Sequence, residues 1–396
     1  MTNEQAKALT DQYVLGTYGR WPIAAVKGKG CFLWDGDGRR YLDFVSGIAV
    51  ANQGHCHPKV VEAIQKQAEQ LIHCSNLFHI PAQAVLAEKL CSLSGLAKAF
   101  FCNSGAEANE AAIKLARKWG KLQKNGAYEI IVAEQSFHGR TMGALSATAQ
   151  RKYQKHFEPL LPGFKAVKFG DITALKEAAT AQTAAILLEP LQGEGGVVPA
   201  PQGYLESVRQ LCEDENILLI LDEVQTGFGR TGKMFAFEHY GIKPDILALA
   251  KALGSGVPIG AVLTGPKTAH IFEPGDHAST FGGNPLAAAA ALAAVEVIED
   301  GLVENCAEVG AYFLKQLEAL KERYPIIRDV RGLGLLIGVE LNQPAGDVVA
   351  YCRDKGLLIL TAGQHTLRFL PPLIITKDHV DQALEILAGA LEVYQS

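Results

Sequence analysis

Two polar residues stand directly after apolar runs whose composition is typical of buried strands. Asp222 follows residues 217–221, and Lys251 follows residues 246–250. A carboxylate at the end of a buried strand needs a cation or hydrogen-bond donors beside it, and an amine held among apolar side chains can have a lowered pKa and act as a nucleophile. Pyridoxal 5′-phosphate (PLP) requires both groups, because a lysine forms a Schiff base with it and an acid pairs with its pyridine nitrogen. Taken alone, Asp222 could cap a helix and Lys251 could lie at the surface.

The phosphate of such a cofactor would need a third feature, and the segment Asn103–Glu107 provides one. It follows an apolar run and has the pattern of a capping box, in which Ser104 and Glu107 satisfy the first N–H groups of a helix. Gly105 would let the backbone approach an anion closely, and the N-terminus of a helix attracts negative charge. An ordinary capped helix would show the same residues.

Three other patterns suggest different chemistry but depart from it in detail. Gly227–Lys233 nearly matches the phosphate-binding loop of nucleotide hydrolases, but Met234 stands where a serine or threonine would hold Mg²⁺. A P-loop nucleotide-binding protein therefore stays an alternative, which a nucleotide titration would test. The glycine pairs that begin at Gly28 and Gly332 lack the third glycine of a dinucleotide-binding fingerprint. The cluster His55–His57 does not have the spacing of a zinc module, and no metal site is expected.

The composition excludes several classes of protein. Of 396 residues, 48% are apolar and 20% are charged, as in globular proteins, which excludes extended disorder. The net charge of −5 argues against a protein that coats nucleic acid. The N-terminus is polar, unlike a secretory signal, and the longest uncharged run, residues 278–295, is too weakly apolar and too interrupted to span a membrane. The chain has eight cysteines and no C-x-x-C pair, so we expect reduced thiols in a cytoplasmic protein. From the charge and the apolar runs we expect neither nucleic-acid nor membrane partners.

Alternating strands and helices must position these residues. Apolar runs predict strands at residues 99–102, 128–133, 184–189, 217–222, 245–250 and 259–263, and helical spacing predicts helices at residues 57–72, 105–124, 201–215, 285–299 and 303–323. Such alternation indicates an α/β fold with a mainly parallel sheet covered on both faces. Residues 30–45 predict a hairpin, and residues 328–394 predict a smaller α+β unit that includes one strand at 357–360. Asp222 and Lys251 stand at the carboxyl ends of strands, where parallel sheets bind ligands.

Eight segments, in order, resemble the class III, PLP-dependent aminotransferases. They are GHCHP (54–58), NSGAEANEAAIKLAR (103–117), SFHGRT (136–141), LEPLQGEGG (188–196), LILDEVQTGFGRTG (219–232), LALAKALGSGVPIGA (247–261), STFGGNPLA (279–287) and LRFLPPL (367–373). Within the class, residues 41–58 are most similar to the acetylornithine aminotransferases. The resemblance implies a fold-type-I transferase with a large PLP-binding domain (58–309) and a small domain formed by residues 1–57 and 310–396. It also implies a homodimer with shared active sites, with a tetramer left open.

The resemblance also implies roles around the cofactor. Lys251 would form the Schiff base and then move the proton between substrate and cofactor, and Asp222 would pair with the pyridinium nitrogen. Gln225 would hydrogen-bond the phenolic oxygen, and Phe137 would stack on the ring. The remaining cofactor contacts would come from Gly105, Ala106, Glu223 and Val224, and from Thr280, which would reach the phosphate in the neighbouring subunit. Many relatives have threonine where Ala106 stands, so that this chain lacks one hydroxyl for the phosphate.

Two substrates would share this site. N2-acetylornithine reacts at its terminal amine, far from its carboxylate, whereas glutamate reacts at the amine beside its α-carboxylate. By resemblance, Arg140 would bind the first carboxylate with help from Ser279, and Arg368 would bind the second. Glu194 would pair with Arg368 while the ω-amino substrate is bound.

The expected reaction is a ping-pong transfer from N2-acetylornithine to 2-oxoglutarate, as in arginine biosynthesis. Ornithine, succinyl-diaminopimelate and 4-aminobutyrate stay open as alternative amino donors. A catalytically idle scaffold of the same fold is a further alternative, although the intact set of Lys251, Asp222, Gln225, Arg140 and Arg368 argues against it.

Overall fold

The computed structural model describes residues 1–394. Its helices are α1 (Asn3–Tyr13), α2 (Ser46–Ala49), α3 (Pro58–Gln70), α4 (Pro81–Ser94), α5 (Gly105–Gln123), α6 (Met142–Ala147), α7 (Arg151–Gln154), α8 (Ile172–Ala178), α9 (Tyr204–Asp214), α10 (Pro285–Glu299), α11 (Leu302–Arg323), α12 (Gly346–Asp354) and α13 (Lys377–Tyr394). Its strands are β1 (Ala25–Lys29), β2 (Phe32–Asp35), β3 (Arg40–Asp43), β4 (Lys98–Cys102), β5 (Glu129–Ala133), β6 (Phe164–Val167), β7 (Thr183–Leu188), β8 (Leu191–Gln192), β9 (Val198–Pro199), β10 (Leu218–Asp222), β11 (Ile246–Leu249), β12 (Gly260–Thr264), β13 (Ile327–Leu333), β14 (Leu336–Leu341), β15 (Leu357–Leu358), β16 (Leu360–Ala362) and β17 (Thr366–Phe369).

A seven-stranded sheet forms the centre of the fold, in the order β4-β12-β11-β10-β7-β5-β6. Neighbouring strands are parallel from β11 through β10, β7 and β5 to β6, and β12 runs antiparallel to both β11 and β4. The predicted mainly parallel sheet is therefore confirmed, with one antiparallel strand that the alternation did not indicate. Every residue of β7, β10 and β11 is buried, as expected when helices cover both faces.

Alternate residues of the central strands face two different hydrophobic cores. Ile186 and Leu219 pack on one side with residues of α4, α9 and α10. Leu187 and Ile220 pack on the other side against α5, whose buried face is rich in alanine. Small side chains let α5 lie close to the sheet, which brings the N-terminus of this helix to the edge where the parallel strands end.

A further core joins the two ends of the chain. The antiparallel sheet β13-β14-β17-β16 packs with α11 and α13, and Leu42 and Phe44 near β3 belong to the same core. β15 pairs in parallel with β3, so that the predicted hairpin of β2 and β3 extends into a sheet with a strand from the C-terminal part. The division into domains stays a prediction, and the expected boundary after residue 309 would fall inside α11.

Several local features differ from the predictions, among them a predicted strand that is divided and a helix that was not predicted. The single strand expected at residues 357–360 is two short strands, because β15 pairs with β3 whereas β16 pairs with β17 in another sheet. α4 is missing from the predicted elements, although Pro81 at its start and Gly95 after its end, with φ +67°, are ordinary helix boundary signals. Over residues 1–394 no helix is both long and apolar enough to cross a membrane.

Candidate active site

A cavity of about 420 Å³ opens at the carboxyl ends of the central strands. Its walls come from the segments that follow β4, β5, β7, β10 and β11, as expected for a parallel sheet. The predicted residues that line it are Gly105, Ala106, Phe137, Arg140, Glu194, Asp222, Val224, Gln225 and Lys251. Five separate segments therefore bring most of the predicted residues to one place.

Lys251 begins a 3₁₀ turn directly after β11. Its φ of +46° lies in the left-handed region that side-chain-bearing residues seldom adopt, so that the surrounding structure holds this residue in a strained conformation. Burial lowers the pKa of Lys251 to about 8, and the neighbouring Glu194 carboxylate opposes that shift. An amine with this pKa is partly unprotonated near neutral pH, as nucleophilic attack requires.

Asp222 ends β10 and is fixed by three hydrogen bonds. Its Oδ2 accepts from Asn109 Nδ2 at 2.7 Å and is bonded to His138 Nδ1 at 2.8 Å, and its Oδ1 accepts the Val224 N–H at 3.0 Å. The predictions omit Asn109 and His138. Both had a signal in the sequence, since Asn109 lies one helical turn after Gly105 on α5 and His138 directly follows a predicted site residue.

Glu189 is a second carboxylate that the predictions omit, and it lines the cavity in a buried position. Its Oε2 accepts the Phe137 N–H at 3.0 Å, and its Oε1 accepts the Gly193 N–H at 3.3 Å. Burial raises the pKa of Glu189 to about 7, with His138 acting in the opposite direction. Glu189 ends the predicted strand 184–189 as Asp222 ends the predicted strand 217–222, so the strand-end argument applied to it equally.

The N-terminus of α5 meets the cavity at Gly105. Ser104 caps the helix as predicted, since its Oγ accepts the Glu107 N–H at 3.2 Å. Glu107 instead accepts the N–H of Asn103 at 2.7 Å, so that only half of the predicted capping box forms. A Cβ atom on Gly105 would lie 2.7 Å from Val224 Cγ1. Glycine is therefore needed for this close approach, and the first N–H groups of α5 remain suited to an anion.

The two predicted substrate arginines are in different states: Arg140 lines the cavity, whereas Arg368 lies behind two lining residues, Glu194 and Gln225. Arg368, on β17, is buried and donates from Nη1 to Glu194 Oε1 at 2.6 Å and to Gln225 Oε1 at 3.4 Å. Arg140 is exposed, and its Cζ lies 4.0 Å from the ring centre of Tyr153. Within residues 1–394 Arg140 forms no ion pair. Arg368 is therefore paired with a carboxylate, whereas Arg140 is open, that is, without a carboxylate partner among the described residues.

Glu223 does not line the cavity. Its carboxylate accepts the N–H groups of Ala236 at 2.6 Å and Phe237 at 2.8 Å, behind the strand end. This orientation contradicts a cofactor contact by the Glu223 side chain, because successive residues of an extended chain point to opposite sides. Glu223 instead anchors the segment after the glycine-rich loop.

Ser279 and Thr280 lie outside the cavity of their own chain. Ser279 Oγ accepts from Asn103 Nδ2 at 3.1 Å, and Thr280 is exposed. Asn76 Nδ2 donates to the main-chain oxygens of Ser279 at 3.1 Å and Gly282 at 3.0 Å. The loop is therefore fixed at its base, while Thr280 within it is exposed to solvent.

The Gly227–Lys233 loop does not form a phosphate site. Arg230, at its centre, is fully buried and donates to the main-chain oxygens of Pro371 at 2.6 Å and Leu335 at 3.0 Å. The next regular element is a short 3₁₀ turn that begins at Ala236. The P-loop alternative is contradicted, because the loop packs against the C-terminal part of the chain and no helix N-terminus follows it.

The geometry has counterparts among known proteins. The family model for class III aminotransferases matches residues 16–391.

The chain belongs to the class III aminotransferases.

Similar proteins carry related names. An acetylornithine aminotransferase from Methanocaldococcus jannaschii is 56% identical over 98% of both chains. The structure of an acetylornithine aminotransferase from Elizabethkingia anophelis gives a TM-score of 0.90 at 36% identity and covers both chains fully. An ornithine aminotransferase from Toxoplasma gondii, described with PLP at its active site, gives a TM-score of 0.96 at 37% identity and covers 99% of this chain and 94% of that one.

Class III aminotransferases depend on PLP, and the residues of this chain fit that cofactor. An amine, Lys251, and a carboxylate, Asp222, line the same cavity. At Gly105 the N-terminus of α5 lies so close to Val224 that a Cβ atom would clash with it. The first backbone N–H groups of the helix are available to bind a phosphate. The cavity therefore has a group for each end of PLP, and this aminotransferase is a PLP-dependent transaminase.

Proposed function

We propose that this aminotransferase transfers the terminal amino group of N2-acetylornithine to 2-oxoglutarate. The observation that carries the proposal is the pairing of Arg368 with Glu194 at a cavity where Arg140 is open. Arg368 lies near enough to Lys251 to lower its pKa, which suits a carboxylate beside the reacting amine. Relatives that are 47–56% identical and are named acetylornithine aminotransferases support the choice of donor.

The residues would divide the chemistry between them. PLP, when bound, withdraws electrons from the substrate carbon that loses its proton. Lys251 would hold the cofactor and carry that proton on Nζ. Asp222, fixed by Asn109 and His138, would bind the protonated ring nitrogen and keep it charged. The remaining contacts would come from Phe137 on the ring face, Val224, Gln225 on the phenolic oxygen, and the main chain of Gly105 and Ala106 on the phosphate.

Glu194 would select between the two substrates. While it neutralises Arg368, the arginine offers little attraction to the carboxyl group of an ω-amino donor, whose carboxylate would bind Arg140 instead. When glutamate enters, its α-carboxylate would displace Glu194 and bind Arg368 through two hydrogen bonds. The 2.6 Å Arg368–Glu194 contact corresponds to the first of these two arrangements.

Donor specificity tests the proposal. The purified holoenzyme is given 2-oxoglutarate with N2-acetylornithine, ornithine, succinyl-diaminopimelate or 4-aminobutyrate, and glutamate formation is measured. We expect the highest kcat/KM with N2-acetylornithine. A comparable value with succinyl-diaminopimelate would widen the substrate range, and a higher value with ornithine or 4-aminobutyrate would refute the proposed donor.

We also propose that two copies of the chain form the working enzyme. Leu77 is 90% exposed, Phe78 65% and Phe281 58%. Asn76 bonds the loop that carries Phe281, so these apolar side chains lie on adjoining segments. A second copy covering this patch would remove it from water. Thr280, next to Phe281 and exposed, would then reach the phosphate in the site of the other copy.

The cysteines support the expected cytoplasmic setting. All eight are free thiols, and Cys31, Cys102, Cys212, Cys306 and Cys352 are buried. Free thiols are the usual state of cysteine in reducing compartments.

A further inference from the structure

Tyr153, on the short helix α7, has no role in the scheme above but contacts two residues of the site. Its ring centre lies 5.8 Å from that of Phe137, with the rings at 80°, and 4.0 Å from Arg140 Cζ. Lys152 Nζ lies 4.7 Å from the same ring. Tyr153 is half-buried. Its ring therefore packs against the guanidinium of Arg140, which is exposed at the edge of the cavity.

The ring has its own anchors, which do not involve Arg140. Gln150, just before α7, donates from Nε2 to the Ser136 main-chain oxygen at 3.0 Å. Gln154, at the end of α7, donates from Nε2 to the Thr148 main-chain oxygen at 2.9 Å. Both ends of α7 are therefore bonded to the segments on either side of Phe137 and Arg140, so that the helix that carries Tyr153 has anchors that do not involve the arginine.

The contact between Tyr153 and Arg140 leaves the arginine able to bind a carboxylate. A guanidinium over an aromatic ring is attracted by the negative face of the ring. Within residues 1–394 no N–H group of Arg140 donates a hydrogen bond while its Cζ lies over this ring, so these groups are free to bind a carboxylate through two parallel hydrogen bonds. An arginine already held in place loses less conformational freedom when its ligand arrives.

We propose that Tyr153 is a positioning residue for Arg140, which it holds at the cavity mouth in the orientation that binds the remote carboxylate of the amino donor. The inference rests on the proposed function, in which Arg140 binds that carboxylate. Tyr153 acts through Arg140 and touches neither the reacting carbon nor Lys251.

Steady-state kinetics of Tyr153→Leu and Tyr153→Phe holoenzymes test this role. Loss of the ring should raise the KM for N2-acetylornithine roughly 2- to 30-fold, the range that corresponds to a cation–π contact. The kcat and the KM for glutamate should stay within about twofold of wild type, and Tyr153→Phe, which keeps the ring face, should restore the KM. Tyr128→Leu is the matched control, because the Tyr128 ring also contacts two cations, Arg117 and Lys121, but does not line the cavity. This variant should leave both KM values unchanged.

A double-mutant cycle separates this proposal from the function on which it rests. In an Arg140→Gln background, Tyr153→Leu should have no further effect on the KM for N2-acetylornithine. If Arg140→Gln raises that KM and Tyr153→Leu does not, the role of Tyr153 is refuted and that of Arg140 stands. Equal changes in both substrates, with a lower kcat, would show that the ring acts through Phe137 and would also refute the proposal. If Arg140→Gln itself has no effect, both assignments fail.

Discussion

At the scale of single residues, the proposed role of Lys251 predicts that its pKa would control covalent capture of PLP by the chain. Because burial lowers that pKa to about 8, Nζ is protonated below this pH and cannot attack the cofactor aldehyde. The rate of covalent PLP uptake by cofactor-free protein, followed by absorbance, should therefore rise with pH and level off above about 8. Lys251→Ala should take up no PLP covalently and should show no turnover.

Glu194 gives this pH dependence a second test. The Glu194 carboxylate raises the pKa of Lys251, whereas the Arg368 cation lowers it. Glu194→Gln removes the first effect and leaves Arg368 unneutralised, and both changes lower the pKa of Lys251. The uptake curve of Glu194→Gln should move to lower pH. A curve that moves to higher pH would contradict the electrostatic assignment of this pair.

Substitution of Arg368 and substitution of Arg140 should each impair a different half-reaction. Arg368→Ala should reduce kcat/KM for glutamate by roughly 30-fold or more, because removing one partner of a buried charged contact costs about 2–5 kcal/mol. Amino transfer from N2-acetylornithine should change much less. Single-turnover measurement of each half-reaction, with Arg140→Gln as the reciprocal variant, separates the two. Equal losses in both half-reactions for Arg368→Ala would contradict the division of labour between the arginines.

At the scale of elements, the N-terminus of α5 depends on a glycine. Gly105→Ala would place a Cβ 2.7 Å from Val224 Cγ1, so that the helix or the strand-end segment must shift. We expect a loss of about 1–3 kcal/mol in the free energy of unfolding and a clearly weaker affinity for PLP in a fluorescence titration. Gly346→Ala is the control, because Gly346 also begins a helix but has open space around it. Unchanged PLP binding by Gly105→Ala would show that the close approach is not needed.

The elements also show how far the sequence alone could reach. Asp222 and Lys251 were identified because an apolar strand run ending in a polar residue places that residue at the ligand edge of a parallel sheet. The direction of β12 could not be predicted, since the apolar pattern of a buried strand is the same in both directions. The orientation of Glu223 and the contact between Tyr153 and Arg140 depend on how segments meet in space, and neither leaves a pattern in the local sequence.

At the scale of the whole molecule, Arg230 joins three parts of the chain. Its guanidinium donates to Asn52 near the N-terminus and to the main-chain oxygens of Leu335 and Pro371 near the C-terminus. Arg230→Met would leave these buried oxygens unpaired, at about 1–3 kcal/mol each. We expect a markedly lower Tm at saturating PLP and a smaller loss for Arg230→Lys. Arg328→Met, a change at an exposed arginine, should alter the stability by no more than about 0.5 kcal/mol.

Under the proposed assembly, a single chain would lack one contact to the phosphate, so the oligomeric state can be tested together with activity. If a second copy covers Leu77 and Phe281, a Leu77→Asp/Phe281→Asp variant should place charges in that interface and dissociate it. Light scattering should then give a mass near 42.5 kDa, against twice that value or more for wild type. Turnover and PLP affinity should fall together, because Thr280 would no longer reach the phosphate in the other copy.

Leu122→Asp, at a position 59% exposed on α5, should keep the wild-type mass and activity. A variant that keeps the wild-type mass would show that the copies meet elsewhere, whereas a monomeric variant with full activity would show that each chain holds its phosphate without Thr280 of another.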